Sequence, residues 1–329
     1  MKEKGFYPSE IIFSVTNACN LHCQHCFVSR NPKRLEIETA KNFLKNCVEA
    51  SNSNPELPKI ERIGFTGGEP FLYPNFLLEL TKTALSLDLL FDQIMTNGDW
   101  WQNETDLHST LHSLYEAGYD GKIGLSWDSF HGQAAERMEK FILTVQELFG
   151  EDSVNIQIVE GGSLPLATAT AVSQSSTAAS SATPSSGECP RNAPQLDFLA
   201  KHPEIKVYHL PQTYPSENPH AWNAKHWFKE DYCQGPGNIL YIHADGNIAP
   251  CCGFANENPT LFIGSITDSF EKVIEKASSN PLIKRCFEEG LSHYRHHELK
   301  KQLRAEGKKL PGKTSDICTF CDYVCKLGQ

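Results

Sequence analysis

Three cysteines in the run Thr16-Asn17-Ala18-Cys19-Asn20-Leu21-His22-Cys23-Gln24-His25-Cys26 have the type and spacing to hold a metal centre. At C-x3-C-x2-C, Cys19, Cys23 and Cys26 can each bind a different iron of a [4Fe–4S] cube. No fourth cysteine follows nearby, so one iron stays open to a ligand that the protein does not supply. An open iron is a catalytic arrangement, whereas full thiolate ligation suits storing or passing electrons. Structural zinc is the competing use: Cys23 and Cys26 form a C-x2-C pair that His22 or His25 can complete into a tetrahedron. Ligand spacing alone leaves both open.

Two neighbouring features decide between them. The triplet directly follows an apolar strand, Ile11 to Val15, and the turn Gly67-Gly68-Glu69-Pro70 follows the next strand, Ile60 to Phe65. This combination resembles the radical S-adenosylmethionine (radical SAM) superfamily. There the loop after the first barrel strand carries C-x3-C-x2-C and the second strand ends in a GGE-type turn.

The elements that must position these motifs alternate along the chain. A helical stripe of Ala40, Phe43, Leu44, Cys47 and Val48 follows the cysteine loop, with Cys47 as a core thiol. Phe76, Leu77, Leu80, Ala84 and Leu87 mark a second helix, and Phe91 to Met95 a third strand ending in Thr96-Asn97-Gly98. Leu107, Leu111, Leu114 and Tyr115 form a third helix closed by Gly118. Ile123 to Trp127, a helix through Met138, Phe141, Ile142 and Val145, and Val154 to Val159 continue the alternation. A helix near Pro194 to Lys201 and a strand from Ile205 to Leu210 complete it. Such βα units imply a parallel sheet, and periodicity does not distinguish an open sheet from a closed barrel. The resemblance implies a partial (β/α)6 barrel over residues 8–212, with chemistry at the carboxyl ends of the strands. Residues 161–187, rich in Ala, Ser, Thr and Pro and without charge, are expected to be a flexible insertion after the fifth strand. Cys189 beyond them has no recognisable partner spacing.

A second cysteine set follows in residues 213–329. Cys233 precedes an apolar stretch from Ile239 to His243. Asp245-Gly246 then signals a tight hairpin turn before Cys251 and Cys252. Cys318, Cys321 and Cys325 form C-x2-C-x3-C near the C-terminus. Structural zinc on Cys233, Cys251 and two of these three is one reading. The pattern C-x12-G-x4-C from Cys233 through Gly246 to Cys251 resembles the opening of SPASM and twitch auxiliary-cluster modules. The resemblance implies one auxiliary [4Fe–4S] cluster on Cys233, Cys251, Cys318 and Cys321, with Cys325 and Cys252 as substitutes or extra ligands. The C-terminal set is shorter than a full SPASM module, which argues against a second auxiliary cluster. Cys286 reads as a packed thiol. Lys284 to Lys309, with His293, His296 and His297, reads as a solvated helical face; the alternative is a docking surface for an acidic partner.

Further site residues follow from the resemblance alone. Gly67 and Gly68 let the backbone approach the methionine moiety of S-adenosylmethionine, Pro70 completes the turn, and Glu69 accepts from the ammonium group. Asn97, Ser126 and Asp128 are candidates for the ribose or the methionine carboxylate, each with a plain alternative as a turn-former or cap. His25 and Phe27 are candidates to pack near adenine, and His131 and Tyr241 to face the substrate. No side chain is assigned as catalytic. The family's chemistry is reductive cleavage of the cofactor to a 5′-deoxyadenosyl radical that abstracts hydrogen from the substrate.

The implied function is modification of a peptide or protein, as in the maturation of ribosomal peptides, with a flavodoxin- or ferredoxin-type electron donor. A dehydrogenase or mutase of a small metabolite or sugar is the alternative within the enzymes. A non-catalytic zinc or iron–sulfur protein is the alternative outside them. With about ten residues before the first strand, no fused peptide-recognition domain is expected. The chain has 329 residues, and its net charge of −10 argues against nonspecific nucleic-acid binding. The absence of a bilayer-length apolar run or a signal-peptide core makes a cytoplasmic, non-membrane protein the expectation. Twelve cysteines in that compartment point to metal rather than disulfides.

Overall fold

The computed structural model describes residues 4–23, 25–159, 194–233 and 237–327. The expected insertion at 161–187 and Cys189 lie outside them. Five βα units and a sixth strand form the first part: β1 (Glu10–Ser14), α1 (Ile37–Ser53), β2 (Arg62–Thr66), α2 (Pro74–Ser86), β3 (Leu90–Thr96), α3 (Glu104–Glu116), β4 (Lys122–Ser126), α4 (Ala135–Phe149), β5 (Val154–Val159), α5 (Pro194–Lys201) and β6 (Lys206–Leu210). Then come β7 (Gly237–Ile242), β8 (Asn247–Cys251), β9 (Gly264–Ser265) and α6 (Phe270–Ser279). The short helices α7 (Pro281–Lys284), α8 (Leu291–Tyr294) and α9 (Lys300–Ala305) are separated by π-helical turns at Arg285–Glu289 and Arg295–Leu299. Helix α10 (Ile317–Leu327) is the last element.

The strands form one sheet in the order β6-β5-β4-β3-β2-β1-β7-β8-β9. Strands β1 to β6 pair in parallel and the sheet does not close, which makes this a partial barrel. Strand β7 adds to the free edge of β1 in parallel, with Ile11 opposite Leu240 and Phe13 opposite Ile242. Strands β8 and β9 continue antiparallel.

Alternation along each strand separates two faces. Ile11, Phe13, Ile63 and Phe65 point toward the helices and are buried, with Phe13 and Phe65 stacked at 6.3 Å. Trp127, Phe76 and Phe141 are, with them, among the largest fully buried side chains. Cys47 is fully buried too. Helix starts carry local signals: Glu36 caps α1 by accepting from the Thr39 N–H, Pro74 opens α2, and Asn103 caps α3. The expected strand limits shift by one or two residues. Ile60 and Val15 are buried but lie outside the ladders, because apolarity reports burial and not pairing.

Candidate functional site

The cysteine loop leaves the carboxyl end of β1 and is closed at its base. Thr16 bridges Arg34, the Thr16 hydroxyl donates to the Lys33 carbonyl at 2.9 Å, and the Asn17 N–H donates to the same oxygen at 2.9 Å. Residues 17–33 are therefore an excursion pinned at both ends. Within it the Cys26 N–H donates to the Cys23 carbonyl at 3.2 Å, and the Leu21 N–H to Cys19 Sγ at 3.4 Å. Burial and then the neighbouring thiols of Cys19 and Cys26 push the Cys23 thiol up to about 11, so metal binding here displaces protons. Arg30 counters this at both Cys19 and Cys23.

The Gly-Gly-Glu-Pro turn is stitched to this loop. The Gly68 N–H donates to the Thr16 carbonyl at 2.6 Å and the Glu69 N–H to the Ala18 carbonyl at 2.8 Å. Gly67 holds φ at +150°, a conformation reserved for glycine. A methyl group on Gly68 would meet the Ala18 carbonyl carbon at 2.7 Å, so no other residue fits beside this loop. Pro70 opens a short 3-10 turn, Pro70–Leu72.

Glu69 is fully buried, and burial raises its carboxyl to about 7. Its Oε1 accepts from the Thr96 hydroxyl at 2.8 Å and the Phe71 N–H at 3.1 Å, and its Oε2 from the Asn97 N–H at 2.8 Å. Asn97 in turn donates to Asn20 Oδ1 at 2.9 Å and lies 3.6 Å from Cys19 Sγ. The ends of β1, β2 and β3 thus form one network around the cysteine loop.

The remaining candidates gather at the ends of β4 and β5. Asp128 is fully buried; its Oδ1 lies 2.7 Å from His131 Nδ1 and accepts from the Phe130 N–H at 3.0 Å, and its Oδ2 accepts from the Val159 N–H at 3.1 Å. Burial opposes ionisation of Asp128, but these partners outweigh it and hold the carboxyl below its usual range. His131 then meets His25, ring to ring at 4.9 Å, and Phe130 packs on His25 at 5.1 Å. A chain of contacts therefore runs from Asp128 to the cysteine loop. Ser126 ends β4, where its carbonyl accepts from Gln133 Nε2 at 2.7 Å. Phe27 is exposed and turns toward Phe254, 6.2 Å away, beyond the barrel. Tyr241 is buried on β7, and its hydroxyl bonds Ser14.

Sequence reasoning missed Gln133 and Arg137. Gln133 joins the ends of β3 and β4 by donating to both the Asn97 and Ser126 carbonyls. Arg137 pairs with Asp99 and lies 3.6 Å over the Trp101 ring, bracing the turn after β3. Near a helix start, both read from the chain as ordinary polar positions.

The second cysteine set assembles on three segments. The β7–β8 hairpin turns at Gly246, with φ at +87°, and pairs Gly237 with Cys251, next to Cys233. On α10, Cys318, Cys321 and Cys325 follow i, i+3, i+7 spacing and share one face. Cys286 joins them: it is buried, with Sγ 3.9 Å from Cys321 Sγ. The Cys321 contact favours its thiolate, but burial and the charges of Cys233, Cys251 and Cys325 outweigh that and raise the thiol. Cys252 is exposed and faces Glu10 and Asp92.

Among the described residues, no three His, Cys, Asp or Glu side chains converge tightly enough to hold a single metal ion. The two geometries ask for different spans: one zinc ion draws its thiolates to roughly 3.8 Å of one another at 2.3 Å bond lengths, whereas a cube binds each thiolate through its own iron.

Residues 13–144 match the model of the Radical SAM superfamily. The putative peptide biosynthesis protein YydG of Bacillus subtilis is 24% identical, over 96% of this chain and 91% of its own length. The 7,8-dihydro-6-hydroxymethylpterin dimethyltransferase of Methanocaldococcus jannaschii is 38% identical over 32% of this chain, and the match spans 19% of that protein. The solved structure of Streptococcus suis SuiB bound to precursor peptide SuiA is 13% identical, with a TM-score of 0.46, covering 95% of this chain and 76% of that one.

Proposed function

This chain is a radical SAM enzyme, and on that premise we propose that it modifies a peptide. The observation that carries the site is the stitching of Gly68 and Glu69 onto the cysteine loop, which ties three thiols and a buried carboxylate to the same strand ends. Cys19, Cys23 and Cys26 would hold a [4Fe–4S] cube. When bound, the cube and S-adenosylmethionine supply one-electron chemistry that ends in hydrogen abstraction from the substrate.

The chain's own residues do the rest. Four lone-pair sites exist on the Glu69 carboxylate and three are taken by the Thr96, Phe71 and Asn97 donors. The remaining one, on Oε2, is the acceptor for the ammonium of the cofactor. Gly67 and Gly68 present bare backbone where the methionine moiety approaches. Asp128 holds His131 against His25, and these rings form the wall assigned to adenine, while Phe27, turned toward Phe254, stands apart from it. Ser126 lies within reach of the same strand ends for the ribose or carboxylate. Packing around Trp127 and Phe71 excludes water from beneath the site.

The peptide substrate is supported by similarity to YydG along nearly the full length of both chains. The dimethyltransferase match covers about a third of this chain and supports only the shared part. Residues 213–329 are assigned as the auxiliary-cluster module, on Cys233, Cys251, Cys318 and Cys321. A flavodoxin- or ferredoxin-type protein is assigned as electron donor. No helix among the described residues is long and apolar enough to cross a membrane.

The test is anaerobic reconstitution, iron and sulfide counting, and assay of 5′-deoxyadenosine after dithionite reduction, with and without a small peptide encoded beside the gene. A mass change in that peptide is the expected outcome. Zinc alone, or iron without deoxyadenosine, would sink the reading; deoxyadenosine with no peptide product would sink the substrate class.

A further inference from the structure

Seven of the twelve cysteines lie together at the hairpin and α10: Cys233, Cys251, Cys252, Cys286, Cys318, Cys321 and Cys325. Apolar packing does not gather thiols in this way, and Cys47 shows the contrast. It is as buried as Cys286, yet the one charged neighbour acting on it is Glu271.

Cys286 is held in the group by more than burial. Its Sγ sits 3.9 Å from Cys321 Sγ, far beyond a disulfide bond length of about 2 Å. Its carbonyl accepts the Cys233 N–H at 3.0 Å, which fixes the backbone of one expected ligand against that of Cys286. It also lies in the π-helical turn Arg285–Glu289. Turns of this kind widen a helix, re-aim its side chains and cluster at functional sites. Here the turn brings a thiol 35 residues from Cys321 in sequence to the buried end of the cluster.

We infer that Cys286 is one of the four thiolate ligands of the auxiliary iron–sulfur site, taking the place of the adjoining Cys321, whose sulfur at 3.9 Å is too near for each to hold its own iron, so that the site draws on the hairpin, the π-helical turn and α10 together. This rests on the proposed auxiliary cluster. It moves Cys286 from packing to ligation.

The experiment uses the full chain with Cys19→Ala, Cys23→Ala and Cys26→Ala, so that remaining iron belongs to the auxiliary site. Iron, sulfide and the electron paramagnetic resonance (EPR) signal of the reduced protein are compared with and without Cys286→Ser and Cys286→Asp. Cys47→Ser is the buried-thiol control. Circular dichroism checks the fold of each variant.

The expected result is loss of about four irons in Cys286→Ser, as one cube would require. Cys286→Asp, which keeps a metal-binding side chain, should retain iron with a shifted EPR signal. Cys47→Ser should match its parent. If Cys286→Ser fails to fold, Cys286→Asp decides: a buried carboxylate without a metal is costlier than a hydroxyl, so a folded, iron-loaded Asp variant supports ligation. A Ser or Asp variant with the parent's iron count and EPR signal overturns the inference while leaving the auxiliary cluster intact. A triple variant that binds no iron overturns the cluster itself, and the inference with it.

Discussion

Replacing Gly68 by alanine adds one methyl group at the seam between the Gly-Gly-Glu-Pro turn and the cysteine loop. That methyl would lie 2.7 Å from the Ala18 carbonyl carbon and 2.9 Å from the Asn17 oxygen. The Ala18 carbonyl oxygen is nearer still; carbon atoms meet at about 3.5 Å, so the two backbones must part by at least roughly 0.8 Å. The Glu69 N–H bond to Ala18, now 2.8 Å, would open to about 3.6 Å and cease to be a hydrogen bond. Losing it costs about 1 kcal/mol, and overpacking against rigid backbone adds about 1–3 kcal/mol. The total, about 2–4 kcal/mol, corresponds to a drop in melting temperature of roughly 3–6 °C for a chain of this size. Because the strain falls on Ala18, beside Cys19, iron retention should fall as well. Gly64→Ala is the control: it faces its nearest neighbour, the Gln93 carbonyl, at 3.3 Å and should cost no more than about 1 kcal/mol. The assay is calorimetry of the metal-free chains together with iron per chain after reconstitution. A Gly68→Ala protein that melts with its parent and loads the same iron would refute the reasoning.

Glu69 should make the metal-free chain pH-dependent. Its carboxyl is raised to about 7 when folded, so its contribution is fully present below about pH 4.5 and fades as pH rises through 7, by up to about 3 kcal/mol. Denaturation from pH 5 to 8 should show this decline in the parent and not in Glu69→Gln; parallel curves would show the carboxyl to be unperturbed. Asp128→Asn leaves at least one of the Val159, Phe130 and His131 partners facing a donor, and should destabilise by about 1–3 kcal/mol in urea titration. Equal midpoints would remove its bracing role. Cys318→Ala with Cys321→Ala should lower iron by about four atoms per chain if one auxiliary cube is present, and an unchanged count would exclude that cluster.

What the chain reveals by itself follows the range of the interaction. The cysteine loop, the Gly-Gly-Glu-Pro turn and the Asp245-Gly246 hairpin are legible because their chemistry is contained in a few consecutive residues. Gly246 takes the positive φ that such a turn requires. The burial of Ile11, Phe13, Ile63 and Phe65 follows from their positions in apolar strands. The attachment of β7 to β1 joins Phe13 to Ile242, and nothing local announces it. The meeting of Cys286 with Cys321 is hidden for the same reason, since the two lie beyond any motif window. Gln133 and Arg137 look like solvent-facing residues near a helix start until Asn97 and Asp99 arrive from β3.

The seam between β1 and β7 also bears on how this protein can be dissected. In the intact chain both margins of β1 are covered, by β2 on one side and β7 on the other. A protein cut after β6 would leave the β7-facing amide and carbonyl groups of β1 bare, on the strand that launches the cysteine loop. Naked strand margins recruit other chains. Aggregation of such a fragment would therefore report a missing neighbour rather than a failed barrel, and a short peptide carrying the β7 sequence could serve as its chaperone.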